Sequence, residues 1–318
     1  MKFPDKILIV RLSSFGDIVL TYPLINRLKE VNPSTKIDFV TKDEYAQLIS
    51  ANKNVNSFFT FGKNTLSDLR KVIKENKYDL IIDLQNNIRS TLLRLFQRGK
   101  IVRYKKKNFK KFLLVLFKIN LYKEIIPVYK KYILTVKKIF SDIKTDFITS
   151  DLEIKSPGKQ NYILICPTSK HFTKTYPKEK FREIIKKYPD RIFYLVSGDN
   201  PAEKEICEFI ARDNQNVKDL SGKTDYNTLI ELIGNSEFVI CNDSGILHLS
   251  EAIGKRVVAI FGSTVREFGF YPQLKESVVI ENKELKCRPC SRAGKDKCPK
   301  KHFRCMNDLK INLDEYIS

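Results

Sequence analysis

Three polar loops in this 318-residue sequence contain residue types that chemistry on a phosphorylated, hydroxyl-bearing substrate requires. The first loop lies within RLSSFGDIVLTYPL (11–24), where an apolar run gives way to two serines, a glycine and an aspartate. Ser13 and Ser14 can cap a helix, and Gly16 permits a tight backbone turn. Asp17 has two interpretations: an early helix residue favoured by the helix dipole, or a carboxylate that serves as a general base.

The second loop is CPTSKHFTKTYP (166–177), which follows an apolar run and precedes a predicted helix. Backbone N–H groups and hydroxyls in such a loop suit a phosphate group. Lys174 adds a positive charge that can pair with phosphate oxygens. The alternative interpretation is an ordinary connection between a strand and a helix.

The third feature, CNDSGILHLSEAIGKRVVAIFGST (241–264), is the most specific. One strand is predicted to end in Asn-Asp-Ser-Gly (242–245), and the next in Gly-Ser-Thr (262–264). The small residues of both loops would let the backbone approach a diphosphate. A single histidine on a helix is more often structural than functional. His248, however, lies one turn beyond the glycine turn and faces the same end of the predicted sheet.

Alternating apolar runs and helical spacings predict the elements that position these loops. Strands are predicted at 6–10, 37–40, 55–59, 80–84, 162–165, 192–196, 238–241 and 257–261, and helices at 17–30, 128–142, 178–187, 202–212, 226–233 and 246–253. This alternation indicates an α/β fold with parallel sheets. We expect two Rossmann-like domains, residues 1–155 and 156–318, facing each other across a cleft. Ligands in such sheets bind beyond the carboxyl ends of the strands.

The charge is strongly positive, with 58 Lys and Arg against 37 Asp and Glu, a net charge of +21. Ten of the basic residues fall between 98 and 123, where no acidic residue occurs, around the apolar run FLLVLF (112–117). This clustering favours an anionic partner, and the alternative is a Lys-rich composition that only tunes solubility. No signal peptide and no apolar run of about 18 residues is present, so we expect a cytoplasmic protein.

The seven cysteines fall into two groups. Cys166, Cys207 and Cys241 lie in apolar runs and are predicted to be small core residues. The other four have the spacing C-x2-C-x7-C-x6-C and could bind zinc, although the second pair is too widely spaced for a zinc ribbon. Their positions are Cys287, Cys290, Cys298 and Cys305. Reduced thiols that pack a loop are the favoured interpretation in a cytoplasmic protein.

Taken together, these motifs resemble glycosyltransferase family 9, the ADP-heptose:lipopolysaccharide heptosyltransferases, whose architecture is the two-domain GT-B fold. The residues that carry the resemblance occur in the family's order and span nearly the whole chain. They are 13–17 (SSFGD), 83–85 (DLQ), Lys174 with Tyr176 and Pro177, 243–245 (DSG) with His248, and 261–264 (FGST). The cysteine-rich segment is similar to a tail in the heptosyltransferase II branch. Tyr176 stands where Trp is usual, and Ser263 replaces a common Pro.

The resemblance implies transfer of heptose from ADP-heptose to the lipopolysaccharide inner core, with inversion at the anomeric carbon. It makes Asp17 the general base and Lys174 the group that stabilises departing ADP. The implied donor-binding residues are Thr168, Ser169, Glu203, Asp243, Ser244, Gly245, His248, Gly262 and Thr264. Lys170 and His171 before Lys174 leave the register of Thr168 and Ser169 open. The implied acceptor-binding residues are Ser13, Ser14, Gly16, Lys105, Lys106 and Lys107.

The implied acceptor is a phosphorylated Kdo-lipid A or inner-core sugar at the anionic inner-membrane surface, which the basic stretch would suit. Within that stretch we expect the apolar run to be packed or lipid-facing, with Lys105–Lys107 pointing outward. No Asp-x-Asp motif occurs, which favours transfer without a metal cofactor. We expect a monomer and no nucleic-acid partner. The alternatives are another NDP-sugar donor, altered or lost activity, or a basic protein that binds anionic polymers.

Overall fold

The computed structural model describes residues 3–95, 97, 99–106, 108–150, 152, 154, 158 and 161–317. The chain forms two compact units, the first comprising Met1–Lys106 and Ile126–Glu153, the second Lys107–Ile125 and Ile154–Ser318. The sequence predicted one continuous N-terminal domain, residues 1–155. In the structure, the internal segment Lys107–Ile125 belongs to the second unit instead. That segment is fixed to the second unit because Lys118 Nζ donates to the Pro289 carbonyl at 2.6 Å. Asn120 also donates to Glu267 at 2.9 Å.

The first unit is built on a five-stranded parallel sheet in the order β3-β2-β1-β4-β5. Its strands are β1 (Lys6–Val10), β2 (Lys36–Lys42), β3 (Ser57–Phe61), β4 (Leu80–Asp83) and β5 (Lys100–Arg103). The central strand β1, KILIV, is almost wholly buried. A continuous apolar run is typical of a parallel strand that is covered on both faces.

The second unit contains a six-stranded parallel sheet in the order β11-β10-β9-β6-β7-β8. Its strands are β6 (Tyr162–Cys166), β7 (Ile192–Leu195), β8 (Val217–Asp219), β9 (Val239–Asn242), β10 (Val257–Phe261) and β11 (Val278–Glu281). Both sheets have the Rossmann order, in which the first three strands are added towards one edge of the sheet and the later strands towards the other edge. The predicted α/β class with two Rossmann-like halves is confirmed.

The helices cover the faces of the two sheets. In chain order they are α1 (Phe15–Val19), α2 (Tyr22–Val31), α3 (Ala46–Ser50), α4 (Leu66–Asn76), α5 (Ile88–Arg94), α6 (Asn108–Phe117), α7 (Val128–Val136), α8 (Lys178–Lys187), α9 (Pro201–Ala211), α10 (Tyr226–Asn235), α11 (Gly245–Ala252) and α12 (Arg304–Asn307). The single helix predicted at 17–30 is divided into α1 and α2. Pro23 lacks an N–H group and stands in the first turn of α2, where its missing donor costs nothing.

Helix α6 leaves most of its apolar residues exposed. Only Leu114 is buried, whereas Phe109, Leu116 and Phe117 are 69%, 59% and 57% exposed. The run 112–117 was expected to be packed or lipid-facing: Leu114 is packed, whereas Phe112, Leu116 and Phe117 are exposed, so a lipid-facing role for them stays a prediction. Lys111 Nζ lies 5.2 Å from the centre of the Phe270 ring within the same unit. No helix among the described residues is long and apolar enough to cross a membrane.

Candidate functional site

Asp17 lies at the start of α1, directly beyond the carboxyl end of β1, and its carboxylate has three partners. Arg11 Nη2 is 2.8 Å from Asp17 Oδ2. The Ser14 hydroxyl donates to the same oxygen at 3.0 Å. The Tyr132 hydroxyl, from α7, donates to Oδ1 at 3.1 Å. The Ser14 N–H also donates to Asp17 Oδ2 at 3.5 Å, so the expected helix cap is present, together with an ion pair that the sequence interpretation did not include.

The charge of Arg11 determines the ionisation of Asp17. Burial alone would raise the pKa of Asp17, but the Arg11 guanidinium and the Ser14 and Tyr132 hydroxyls lower it below its ordinary value. Arg11 is itself buried, and its Nη1 donates to the Leu84 carbonyl at 2.7 Å. Asp17 is therefore a carboxylate at neutral pH, held by fixed donors and able to accept a proton.

The loop after β4 supports this arrangement from the neighbouring strand. Gln85 Oε1 accepts N–H bonds from Leu12 at 3.0 Å and from Ser13 at 3.2 Å, and so fixes the Ser13–Ser14 loop. Asp83, although it belongs to the resemblance, is fully buried and accepts from Arg94 Nε at 3.1 Å. Its position gives it a structural role in the folded chain.

One predicted detail of the loop after β1 is wrong. Gly16 does not form a tight turn, because it lies inside α1 and has no positive φ. Lys106, which follows β5, is exposed as predicted, and its Nζ donates to the Gln85 carbonyl at 2.5 Å. Partial burial of this amine and the charge of Arg11 lower the pKa of Lys106. Lys105 is exposed, and Lys107 lies outside the described residues.

In the second unit, the predicted donor loops meet at the carboxyl edge of four neighbouring strands, β10, β9, β6 and β7. Lys174 Nζ, from the loop after β6, lies 2.8 Å from Asp243 Oδ2, from the loop after β9. Thr264, after β10, donates its hydroxyl to the same oxygen at 2.6 Å. Asp243 therefore joins its own loop to the loops after β6 and β10, and it fixes the position of the Lys174 amine.

Helix α11 begins beside this ion pair. Ser244 is its N-cap and Gly245 its first residue. The Ser244 hydroxyl is buried and has no hydrogen-bond partner among the described residues. Its O–H group and the first N–H groups of α11 are hydrogen-bond donors suited to an anionic ligand. His248, one turn on, is 7% exposed and its ring centre lies 5.9 Å from that of Phe270, which places it in the packing of the helix.

A second acidic group lies after β7. Glu203, in the first turn of α9, accepts a hydrogen bond from the Thr168 hydroxyl at 2.9 Å and from the Gly198 N–H at 3.0 Å. The structure thus joins Thr168 and Glu203, two predicted donor residues from neighbouring strands. Ser169 is half-buried in the same loop, and its carbonyl accepts from the Thr175 hydroxyl at 3.5 Å.

Gly262 packs closely against other parts of the protein, and the approach of a diphosphate to its backbone stays a prediction. A Cβ atom at Gly262 would lie 2.8 Å from the Thr173 carbonyl oxygen and 2.6 Å from Met306 Cε. The missing side chain therefore makes room for the neighbouring protein loop. Ser263 shares this packing, since its hydroxyl accepts from Thr173 at 3.2 Å.

Comparisons with known proteins show the family to which the chain belongs. A family model for glycosyltransferase family 9 (heptosyltransferase) matches residues 66–301, which is most of the chain. The chain belongs to glycosyltransferase family 9. Lipooligosaccharide heptosyltransferase 2 of Campylobacter jejuni is 31% identical over 186 residues, which are 56% of this chain and 56% of that relative. The match thus spans only a little more than half of that family 9 relative's length.

Two further family 9 proteins extend over more of the chain. Lipopolysaccharide heptosyltransferase 3 of Escherichia coli K12 is 27% identical over 295 residues, 80% of this chain and 81% of the relative. Among solved structures, E. coli heptosyltransferase WaaC with ADP has a TM-score of 0.70 at 20% identity, over 86% of this chain and 92% of that chain. At this identity the likeness establishes the shared fold.

Three side chains that the sequence interpretation passed over contact predicted site residues. Arg11 follows β1 directly, and a basic residue at the end of a buried strand was a usable signal for an ion pair. Tyr132 is 115 residues from Asp17 in the sequence and gave no signal. Arg288, in the cysteine-rich segment, is 4% exposed in its side chain and contacts the loop after β10.

The cysteines divide as predicted into core and tail groups. Cys166, Cys207 and Cys241 are buried, and all seven cysteines are free of disulfides. In the tail, Cys305 packs in the core, and Cys287 Sγ lies 3.8 Å from His302 Nε2. Across the described part of the chain, no three Cys, His, Asp or Glu side chains converge as metal ligands. The zinc hypothesis therefore gains no support from the positions of the four tail cysteines.

Proposed function

We propose that this protein transfers heptose from ADP-heptose to a sugar hydroxyl of the lipopolysaccharide inner core, with inversion at the anomeric carbon. The observation that carries the proposal is the Lys174–Asp243 pair beside the start of α11, at the carboxyl edge of a Rossmann sheet. Membership of family 9 supports heptose as the sugar. The relative whose structure contains ADP supports that nucleotide.

In the proposed donor step, the ADP phosphates bind where Lys174 now pairs with Asp243. Lys174 stabilises the negative charge that grows on the β-phosphate as its bond to the anomeric carbon breaks. The Ser244 hydroxyl and the Gly245 N–H donate to phosphate oxygens at the positive end of α11. Glu203 accepts from the adenosine ribose hydroxyls. Thr168, Ser169, His248 and Thr264 complete the proposed donor contacts, and Gly262 serves by keeping the loops closely packed.

In the proposed acceptor step, Asp17 takes the proton of the attacking sugar hydroxyl as the new bond to the anomeric carbon forms. Its lowered pKa makes it a weak base, but it is ionised and therefore ready to accept the proton at neutral pH. A nucleoside diphosphate is a good leaving group, so a second carboxyl group acting as acid is unnecessary, unlike in glycosidases. Ser13 and Ser14 after β1 and Lys105 and Lys106 after β5 are the proposed acceptor contacts, and Lys107, outside the described residues, is proposed as one from the sequence alone.

The proposed reaction needs no metal cofactor. Asp-x-Asp, which commonly holds a metal ion against a diphosphate, does not occur in the sequence, and Lys174 provides positive charge at the donor loops. We expect turnover to be unchanged after dialysis against EDTA and after later addition of Mg²⁺ or Mn²⁺. A loss of more than about tenfold on chelation, restored by the ion, would contradict this part of the proposal.

We further propose that the protein is cytoplasmic and works at the anionic inner-membrane surface, where a phosphorylated Kdo-lipid A acceptor is found. The exposed Phe109, Leu116 and Phe117 of α6, interleaved with lysines, support this location. Aromatic and aliphatic side chains that enter the headgroup region, together with lysines, are typical of interfacial helices.

Vesicle co-sedimentation tests the membrane proposal. The native protein should bind phosphatidylglycerol vesicles better than phosphatidylcholine vesicles, and Phe109→Ser with Phe117→Ser should weaken binding about tenfold or more, because each phenyl ring loses its apolar contact. Ile88→Ser in α5 is a matched control, since Ile88 is 81% exposed in the other unit. Equal binding by the α6 variant and the control variant would exclude α6 as the membrane contact.

A donor panel tests the proposed activity against its alternatives. Thermal unfolding with ADP, UDP, GDP and CDP identifies the nucleotide, and incubation with ADP-heptose and Kdo-lipid A identifies transfer. We expect stabilisation by ADP alone and a product that is one heptose heavier. Stabilisation by UDP would favour another NDP-sugar donor. Binding of polyanions without protection by any nucleotide would favour the non-enzymatic alternative.

A further inference from the structure

One segment of the C-terminal tail, residues 287–295, contacts the loop after β6, which carries Lys174, and the loop after β10, which carries Thr264. On one side, the Cys290 N–H donates to the Ser263 carbonyl at 3.2 Å. On the other, Thr173 and Lys295 exchange two hydrogen bonds: the Thr173 N–H donates to the Lys295 carbonyl at 3.0 Å, and the Lys295 N–H donates to Thr173 Oγ1 at 2.8 Å. The tail therefore links the loop after β6 to the loop after β10.

Arg288 makes the largest number of these contacts. Its Nε donates to the Gly262 carbonyl at 2.5 Å, and its Nη2 donates to the Thr264 carbonyl at 2.8 Å. Its Nη1 donates to the Asn282 carbonyl at 2.5 Å, and Glu281 pairs with Nη2 at 2.8 Å. The side chains of Arg288 and Glu281 are 4% and 7% exposed. A planar guanidinium can satisfy these acceptors in fixed directions at once, which a lysine ammonium cannot.

Two further contacts connect Arg288 to Lys174 at the proposed phosphate site. Arg288 fixes the carbonyls on either side of Ser263, and with them the backbone of Thr264. The Thr264 hydroxyl donates to Asp243 at 2.6 Å, and Asp243 holds Lys174 at 2.8 Å. A shift of the loop after β10 would therefore move the carboxylate that orients Lys174.

We propose that Arg288 is a positioning residue for the donor diphosphate, through which the cysteine-rich tail fixes the loop that carries Thr264 and, through Thr264, the Asp243 carboxylate that orients Lys174. The inference rests on the proposed function only for the identity of the ligand, an ADP-sugar. It gives the cysteine-rich segment a role that requires neither a metal nor a disulfide.

The test compares Arg288→Lys with Arg256→Lys. Arg256 is a matched control because it directly precedes β10, at the end of that strand away from the loop that Arg288 contacts, and its Nη2 also donates to a backbone carbonyl, that of Tyr316, at 2.7 Å. We expect Arg288→Lys to weaken ADP binding roughly tenfold and to lower kcat/KM up to about a hundredfold, since small displacements of a site have effects of this size. Arg256→Lys should leave the Kd for ADP within about twofold of the native value.

Hydrogen exchange of the amides at 262–264 gives a second measurement that needs no ligand. These amides should exchange faster in Arg288→Lys than in the native protein or in Arg256→Lys. If Arg288→Lys does not fold, Gly294→Ala provides a second variant. Gly294 has φ +118°, and an added Cβ would lie 2.4 Å from His171 Cβ, so the tail must shift from the loop before Lys174. We expect weaker ADP binding in that variant as well.

Native ADP affinity in Arg288→Lys, or in Gly294→Ala where the lysine variant does not fold, would overturn the inference. Unchanged amide exchange at 262–264 in Arg288→Lys would also overturn it. Failure of the native protein itself to bind ADP is a different result, because it refutes the proposed function and with it any donor role for Arg288.

Discussion

Replacing Lys174 with methionine separates its proposed catalytic role from its part in the fold. The amine lies 2.8 Å from Asp243, and the two side chains are 14% and 7% exposed. Removing one partner of a buried ion pair typically costs 3–5 kcal/mol, because the remaining charge is left without compensation. Thr264 still donates to Asp243 in the variant, so we expect the lower end, about 3 kcal/mol. For a unit of this size, that corresponds to a Tm lower by roughly 6–12 °C.

The double variant Lys174→Met with Asp243→Asn removes both charges, and its asparagine can still accept from Thr264. We expect it to regain most of the lost stability. Turnover should remain about 10²- to 10³-fold below native in both variants, because the charge that stabilises departing ADP is absent from both. Thermal unfolding and single-turnover heptose transfer, both measured well below the lowest Tm, check the two expectations, with Asp243→Asn alone as the control.

The result that would refute this reasoning is recovery of turnover together with stability. If the double variant transferred heptose at the native rate, Lys174 would be only a structural partner of Asp243. An unchanged Tm in Lys174→Met would show instead that the pair contributes nothing to the fold.

Two pH-dependent predictions follow from the buried carboxyl groups. Arg11→Met should move the acidic limb of the kcat/KM profile to higher pH. Without the Arg11 charge, burial raises the pKa of Asp17. If the acidic limb does not move, Asp17 is not the base whose titration limits the reaction. Burial raises the pKa of Glu251 to about 7 although it accepts N–H bonds from Gln273 and Leu274. Because the folded protein binds this proton more tightly than the unfolded chain does, Glu251 contributes most to stability at pH values below about 4.5. This contribution is lost as the pH rises to about 7. Glu251→Gln should remove a pH dependence of up to about 3 kcal/mol in the free energy of unfolding between about pH 4.5 and 7, and equal slopes in both proteins would contradict it.

Much of the fold was predictable because apolar strands and amphipathic helices have characteristic patterns in the local sequence. Helix α8 has the predicted bounds, and β10 likewise. Three strands were missed: β5, β8 and β11. Each has three or four residues and none is fully buried, so their sequences lack the continuous apolar run that identified the central strands. Their pairing is determined by neighbouring strands, which a local pattern does not contain.

The site was predictable where residues follow a strand directly, as Asp17, Lys174, Asp243 and Thr264 do. Site contacts between residues distant in the sequence were not predictable, because the contacts of Tyr132 and Arg288 depend on the tertiary fold. The basic segment shows the same limit. Its composition indicated an anionic partner, yet its charge pattern did not indicate that α6 would pack on the second unit.

The measurement that tests the central claim most directly is heptose transfer by native protein and by Asp17→Asn, with ADP-heptose and Kdo-lipid A as substrates. The amide keeps the size of the side chain but cannot take the acceptor's proton. We predict an inverted glycosidic product from the native enzyme, unchanged ADP binding in the variant, and turnover reduced by about two to four orders of magnitude. Near-native turnover by Asp17→Asn, with the same product, would contradict the account.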